Sequence, residues 1–292
     1  MCDERTIRDA EDRLRRPGGL SRREVGALSA GAGVAMLLPG AAAALEVTAG
    51  NVEVPTPDGT ADCHFVHPSS GAHPGMLIWP DALGLRPAFE QMARRLAESG
   101  YSVLVVNPYY RTEPAPVVPE GASFRDEAVR KKVFPLMRSL TPERTVTDAT
   151  AFVDFLDSHD AVARDRRMGT TGYCMGGSMT MRTAAAFPDR IGAGASFHGG
   201  RLVTDKPDSP HLLVGKMRAH YLFAIAENDD AKDPGAKTAL RAAFDAAGLL
   251  AEIEVYAGTL HGWCPPDSAV YNEAQAERAW SRMLSLFQTA LA

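Results

Sequence analysis

The sequence predicts a mainly parallel α/β sheet with helices on both faces, and three observations carry that expectation. Short apolar runs alternate with stretches of helical periodicity from residue 75 to the C-terminus. Strands that read as continuous apolar runs belong to sheets covered on both sides. The composition, 45% hydrophobic and 23% charged over 292 residues, is that of an ordinary globular protein. Finally, no repeat or low-complexity tract interrupts residues 46–292, a length that one α/β domain can bury around its core.

The elements follow in order. Val47–Val54 and Thr60–Val66 alternate in polarity around the turn cluster Pro55-Thr56-Pro57-Asp58-Gly59, which reads as a β-hairpin. Gly75–Trp79 is a buried strand. Residues 86–99 place Phe89, Met92 and Leu96 at helical spacing, and Gly100 stops that helix. Tyr101–Val106 is the next strand, and a Pro-rich loop covers 108–124. Helices are predicted near 125–138 and 142–158, then a strand over Arg167–Gly172 and a helix over 176–187. Ile191–Phe197, Tyr221–Ala226 and Ala251–Tyr256 are strands. Pro234–Ala247, ended by Gly248, and Asn272–Leu291 are helices. Parallel strands need right-handed crossovers, and ligands in such sheets sit at the carboxyl ends of the strands.

Residues 1–45 stand apart. After a charged stretch comes Leu20-Ser21-Arg22-Arg23-Glu24-Val25, then an Ala/Gly-rich run without charge to Leu45. Small residues suited to signal cleavage lie at Ala42 to Ala44. This resembles a twin-arginine export signal, which implies a periplasmic protein with no stable membrane span after processing. The alternative is an extension on a cytoplasmic protein. The net charge of −5 is spread along the chain with no basic stripe, so nucleic acid is not an expected partner. Cys2, Cys63, Cys174 and Cys264 form no CxxC pair, and the eight histidines include no HExxH. Neither a zinc site nor a disulfide framework is expected. No segment implies a metal, nucleotide or organic cofactor, and oligomeric state is not legible.

The strongest local signal is Gly172-Tyr173-Cys174-Met175-Gly176-Gly177, between an apolar strand and a helix-compatible segment. It is the pattern of a nucleophile elbow with Cys in place of Ser. Glycines are needed because the strand-to-helix turn is tight. The helix N-terminus favours thiolate and helps to bind an oxyanion. Downstream, Ala226-Glu227-Asn228-Asp229-Asp230 follows one strand and Gly258-Thr259-Leu260-His261-Gly262-Trp263 follows the next. Glu227, Asp229 and Asp230 compete as the acid, and Asp229 is the one assigned. The order nucleophile, acid, histidine is that of a hydrolytic triad on such a sheet.

The blocks WPDALGLRP, NPYYR, GYCMGG, AENDD and LHGW, in this order, resemble the dienelactone hydrolase family. The resemblance runs from about residue 47 to the C-terminus. It implies the α/β-hydrolase fold with little or no lid domain, and hydrolysis of a small ester or lactone through a thiol ester. It also implies roles. Asp81 matches the carboxylate near the nucleophile, where the better-known pattern has Glu. Ala82 and Met175 would offer oxyanion N–H groups. Arg111 matches a position that binds a substrate carboxylate through paired hydrogen bonds. Tyr173, His198 and Trp263 are further substrate-contact candidates. Pro265 stands near where the dienelactone enzyme carries a second arginine. The expected chemistry is attack by Cys174, proton handling by His261 and orientation of His261 by Asp229. A broad carboxylesterase or thioesterase on the same scaffold is the main alternative, and a non-catalytic binding domain the other.

Overall fold

The computed structural model describes residues 44–292, so the segment read as an export signal lies outside the described residues but for its last two positions. The strands are β1 (Val47–Thr56), β2 (Gly59–Pro68), β3 (Gly75–Trp79), β4 (Ser102–Val106), β5 (Met168–Tyr173), β6 (Ile191–Phe197), β7 (His220–Ala226) and β8 (Ala251–Tyr256). The helices are α1 (Pro87–Glu98), α2 (Glu127–Ser139), α3 (Pro142–Ser158), α4 (Met175–Ala186), α5 (Glu227–Lys232), α6 (Ala236–Ala247) and α7 (Glu273–Ala290), with a 3-10 helix at Pro210–Lys216. The strands form one sheet in the order β1-β2-β4-β3-β5-β6-β7-β8. The β1–β2 and β2–β4 pairs are antiparallel and the remaining pairs parallel. This is the α/β-hydrolase architecture that the sequence predicts.

Consecutive strand residues point to opposite faces, and each face collects its own helices. Met76, Ile78, Val103, Val105, Leu222 and Ala224 pack with Phe89, Met92 and Leu96 of α1 and Trp280, Met283 and Phe287 of α7. Leu77, Trp79, Leu104, Tyr221 and Phe223 face the other way. They pack with Phe152 and Leu156 of α3, Met179 and Met181 of α4, and Leu240 and Phe244 of α6. Trp79 Nε1 donates to Thr183 Oγ1 at 3.1 Å, which ties β3 to α4 beneath the site.

The hairpin and the acidic stretch after β7 differ in kind or extent from the sequence reading, and a 3-10 helix at Pro210–Lys216 was not foreseen. The hairpin strands run further, from Val47 to Thr56 and from Gly59 to Pro68, because the ladder continues through Pro55↔Thr60 to Thr56↔Gly59. The acidic stretch after β7 is one short helix rather than open loop. There is no separate lid domain among the described residues. Instead, Tyr109, Val117 and Val118 of the 107–126 loop join Val133 and Leu136 of α2 over Ala82 and Cys174.

The chain leaves β3 toward β4 on one side and returns to β5 on the other. The carboxyl ends of β3 and β5 are therefore neighbours at a topological switch point, where open α/β sheets bind ligands. The turn after β5 depends on the lack of a side chain at Gly172, where a Cβ would stand 2.2 Å from the Gly176 carbonyl oxygen. Gly172→Ala is expected to cost about 1–3 kcal/mol or more, as overpacking against fixed backbone does. A urea unfolding midpoint equal to the wild type would show that this turn has slack.

Candidate active site

Cys174 sits between β5 and α4 with φ 54° and ψ −115°, a backbone region that side-chain-bearing residues rarely adopt. The surrounding chain holds it there. Cys174 N–H donates to Phe197 O at 3.1 Å, and its carbonyl accepts from Gly177 at 3.2 Å and Gly200 at 3.0 Å. Gly176 brings α4 hard against β3, since a Cβ there would be 2.3 Å from the Trp79 carbonyl oxygen. Cys174 is 2% exposed and lines a cavity of about 190 Å³ together with Asp81, Ala82, Arg86, Arg125, His198 and His261. An engineered apolar cavity of roughly 150 Å³ holds a benzene, so a small ester fits this space. Cys63, Cys174 and Cys264 form no disulfide.

The acids after β7 sort themselves by partner. Glu227 Oε2 accepts from Gly258 N–H at 2.9 Å, and Asp230 pairs with Lys237 Nζ at 2.6 Å. Asn228 Oδ1 accepts from the His261 backbone N–H at 2.8 Å. Asp229 alone reaches the ring, with Oδ2 2.7 Å from His261 Nδ1. The carboxylate accepts, so Nδ1 carries the proton and Nε2 of the neutral ring is a lone pair. Nε2 is buried and meets no full hydrogen-bond geometry. Cys174 is nonetheless near enough to act on the ring through charge and a weak hydrogen bond. Burial opposes charge on this imidazole, but Asp229 and Cys174 outweigh it and raise His261 to about 9. Gly262, at φ +97°, turns the chain immediately after it.

His198 ends β6 on the same cavity, edge-on to His261 with ring centroids 5.0 Å apart. Burial, with the neighbouring His261 adding to it, pushes its imidazole well below the ordinary value. It is a neutral wall beside a ring that favours charge.

Asp81 follows β3. Its side chain is held by Arg86, with Nη1 2.7 Å from Oδ1 and Nη2 2.9 Å from Oδ2. Burial pushes the Asp81 carboxyl above its ordinary range, Arg86 pulls it down and Cys174 adds to the rise. Ala82 lines the cavity, and its carbonyl accepts from the Tyr109 hydroxyl at 2.9 Å. The same hydroxyl lies 3.3 Å from Met175 Sδ, so Tyr109 touches both residues nominated for the oxyanion. Met175 is the first residue of α4, where backbone N–H groups lack intrahelical partners.

Three expected substrate contacts are corrected. Arg111 turns away from the cavity. Its guanidinium binds Asp148 at 2.6 and 2.8 Å and Asp58 at 2.6 and 2.8 Å. Asp148 is a buried carboxylate on α3, and it claims the nearest cation. Tyr173 is in the core, stacked on Phe197 at 4.9 Å, because β5 turns it to the α1 and α7 side of the sheet, and it does not line the cavity. Trp263 is fully buried and stacked on Tyr256 at 4.9 Å. Conversely, the sequence reading missed Arg86, Tyr109, Arg125 and Asp267. The Arg86–Asp267 contact spans 181 positions, and no local pattern announces it.

With the geometry in place, comparison with known proteins is direct. The model of the dienelactone hydrolase family matches residues 62–291. A protein named "Putative carboxymethylenebutenolidase" from Methylorubrum extorquens is 26% identical over 281 residues, covering 92% of this chain and 93% of that one. Among solved structures, a "Putative Dienelactone Hydrolase" from Klebsiella pneumoniae superposes with a TM-score of 0.72 at 22% identity, covering 84% of this chain and 99% of that one. Dienelactone hydrolase from Anabaena variabilis gives 0.61 at 15%, with the same two coverages. Likeness at these identities shows the fold.

Two outcomes test this description. His261 lies at about 9, above the 6.5 of an ordinary imidazole. Its protonation therefore favours the folded state. That stabilisation is complete below an ordinary histidine's pKa of about 6.5 and is lost as pH rises through the raised value. The Tm gap between the wild type and Asp229→Asn should narrow across that window. A gap that stays constant means that the Asp229 pair does not set the imidazole's charge. Arg111→Gln should cost about 3–5 kcal/mol in denaturant unfolding, as loss of one member of a buried ion pair does. The KM for carboxylate-bearing esters, relative to neutral ones, should not change. A selective rise in that KM would return Arg111 to the substrate.

Proposed function

Because the chain belongs to the dienelactone hydrolase family, we propose that it hydrolyses a carboxylic ester or lactone through a thioacyl enzyme on Cys174. The observation that carries this reading is the 2.7 Å contact of His261 Nδ1 with Asp229, on a ring whose other face meets Cys174 in one cavity. In the proposed first half, the thiol proton passes to His261 Nε2 and the sulfur attacks the carbonyl carbon. The carbonyl electron pair moves onto oxygen, which the N–H groups of Met175 and Ala82 receive. Asp229 stabilises the imidazolium. Collapse of the intermediate breaks the carbon–oxygen bond, and His261 returns the proton to the leaving alkoxide. In the second half, His261 takes a proton from water as its oxygen attacks the thioester. The carbon–sulfur bond breaks, His261 returns that proton to the leaving thiolate, and the acid leaves with the Cys174 thiol restored.

A broader carboxylesterase or thioesterase is the second reading, and a specific observation favours it over an enzyme for anionic lactones. Arg111 is consumed by Asp58 and Asp148, and residue 265 is proline. If residues 1–45 direct export, the near-complete burial of Cys174 would limit its oxidation outside the cytoplasm.

Incubation with p-nitrophenyl acetate should place one acyl group on the peptide containing Cys174, read by mass spectrometry. Cys174→Ala should abolish it and lower the hydrolysis rate by about 10⁴-fold or more, as removing a nucleophile does. Acyl transfer to another residue, or hydrolysis unchanged in Cys174→Ala, would overturn the reading.

A further inference from the structure

We propose that Arg86 is a positioning residue that locks the oxyanion turn to the loop carrying His261 and thereby sets the geometry in which Cys174 is acylated. This rests on the hydrolase reading above and adds a residue to it. Two walls of the cavity meet at this side chain. One is the turn Asp81–Gly84, which includes Ala82 and Leu83; the other is the stretch of 262–270 that includes Gly262, Asp267 and Ser268. Arg86 stands at the start of α1, with its side chain 8% exposed, and donates to both.

Every donor of the guanidinium is used. On one edge Nη1 donates to Asp81 Oδ1 at 2.7 Å and to Gly84 O at 3.2 Å, and Nη2 donates to Asp81 Oδ2 at 2.9 Å. On the other edge Nε donates to Asp267 Oδ2 at 2.6 Å and Nη2 to Asp267 Oδ1 at 3.0 Å. A guanidinium has five N–H donors in a fixed plane, and here all five have acceptors. The Phe89 ring, 4.9 Å from the guanidinium carbon, supports the plane from α1. A side chain so committed has no donor left for a substrate, so its contribution runs through what it holds.

Both held pieces are stiff. The Asp81 turn is closed by Gly84 N–H on Asp81 O and by Leu83 N–H on Asp81 Oδ1, each at 2.9 Å. Asp81 is thus bound to the turn and to Arg86, which makes it the anchor of the Ala82 N–H. The opposite loop contains Pro265 and Pro266 and is braced by Ser268 on Pro265, Tyr271 on Ser268 and Asn272 on Trp263, each at 3.0 Å. A shift at Asp267 is therefore passed to His261, six positions earlier, rather than absorbed between them. Misplacing a reacting group by about 1 Å can cost roughly 100-fold in rate.

The test compares Arg86→Lys and Asp267→Asn with the wild type. It reads pre-steady-state acylation by p-nitrophenyl acetate, KM, thermal unfolding and the stoichiometry of Cys174 alkylation by iodoacetamide. Lysine keeps the charge but cannot bridge two carboxylates with one plane. Arg86→Lys should slow acylation by about 10- to 100-fold with a smaller change in KM, while alkylation stays stoichiometric and unfolding cooperative. Asp267→Asn leaves the Asp81 edge intact and should give a smaller loss of the same kind, which Asp267→Glu should partly restore. Adding Asp81→Asn to Arg86→Lys should bring no further loss, since the two act as one unit. Wild-type acylation rates in both single variants, or a loss that matches the fraction of unalkylated protein, would overturn the proposal. If Arg86→Lys fails to fold, Asp267→Asn decides alone, because Asp267 lies at the surface with its side chain 39% exposed. If the wild type never acylates Cys174, the hydrolase reading fails and this inference with it.

Discussion

The site depends on one constraint, the collision that any side chain at residue 176 would make with the end of β3. Gly176 lets the first turn of α4 lie against the Trp79 carbonyl, and that approach forces Cys174 into a left-handed, strained backbone. The strain has a use. A cysteine in extended geometry would continue the strand and bury its sulfur in the sheet. In this turn the sulfur stands at the head of α4 beside the carboxyl ends of β3 and β6. Strain of this kind costs about 1–3 kcal/mol and persists only where the surroundings over-determine it. Here they do so through three backbone hydrogen bonds to Cys174 and through Trp79, which is anchored to α4 from below.

Charge around that turn is gathered into three groups, the first two coupled where Cys174 faces Asp81. Cys174, His261 and Asp229 form one; Asp81, Arg86 and Asp267 a second; Arg111, Asp148 and Asp58 a third. Burial would make each of these charges expensive alone. Of the three, only the first keeps a side-chain nitrogen on the cavity without a full hydrogen bond, His261 Nε2. His198, neutral and packed edge-on, completes its surroundings without adding a competing charge.

The fold was legible because its signals are local. Apolar runs mark β3 to β8, and the predicted bounds of β3, β6, β8 and α3 agree with the structure to the residue. The order of Cys174, Asp229 and His261 was legible for the same reason, since each follows its own strand. Choosing Asp229 among three acids was not decidable from spacing. It depends on α5, a single short helix that hands Glu227 to Gly258 and Asp230 to Lys237 and aims Asp229 at the ring. Tyr173 shows a different limit. Nominated as a substrate contact, it is turned by β5 into the core on the α1 and α7 side of the sheet.

The two arginines show why a matching position does not carry a role by itself. Arg111 and Arg86 both lie within a few positions of the carboxyl end of a strand, β4 and β3 respectively. Asp148 of α3 is almost fully buried, its side chain 2% exposed, and an unpaired carboxylate there would be costly. The scaffold therefore has first claim on Arg111, whose guanidinium is held by Asp148 and Asp58. Arg86 is claimed as fully, but by two carboxylates that themselves border the cavity. The same guanidinium chemistry thus stabilises the flank of the domain in one case and joins two walls of the reaction space in the other. What separates them is where their acidic partners sit, and the deciding ones, Asp148 and Asp267, lie 37 and 181 positions away along the chain.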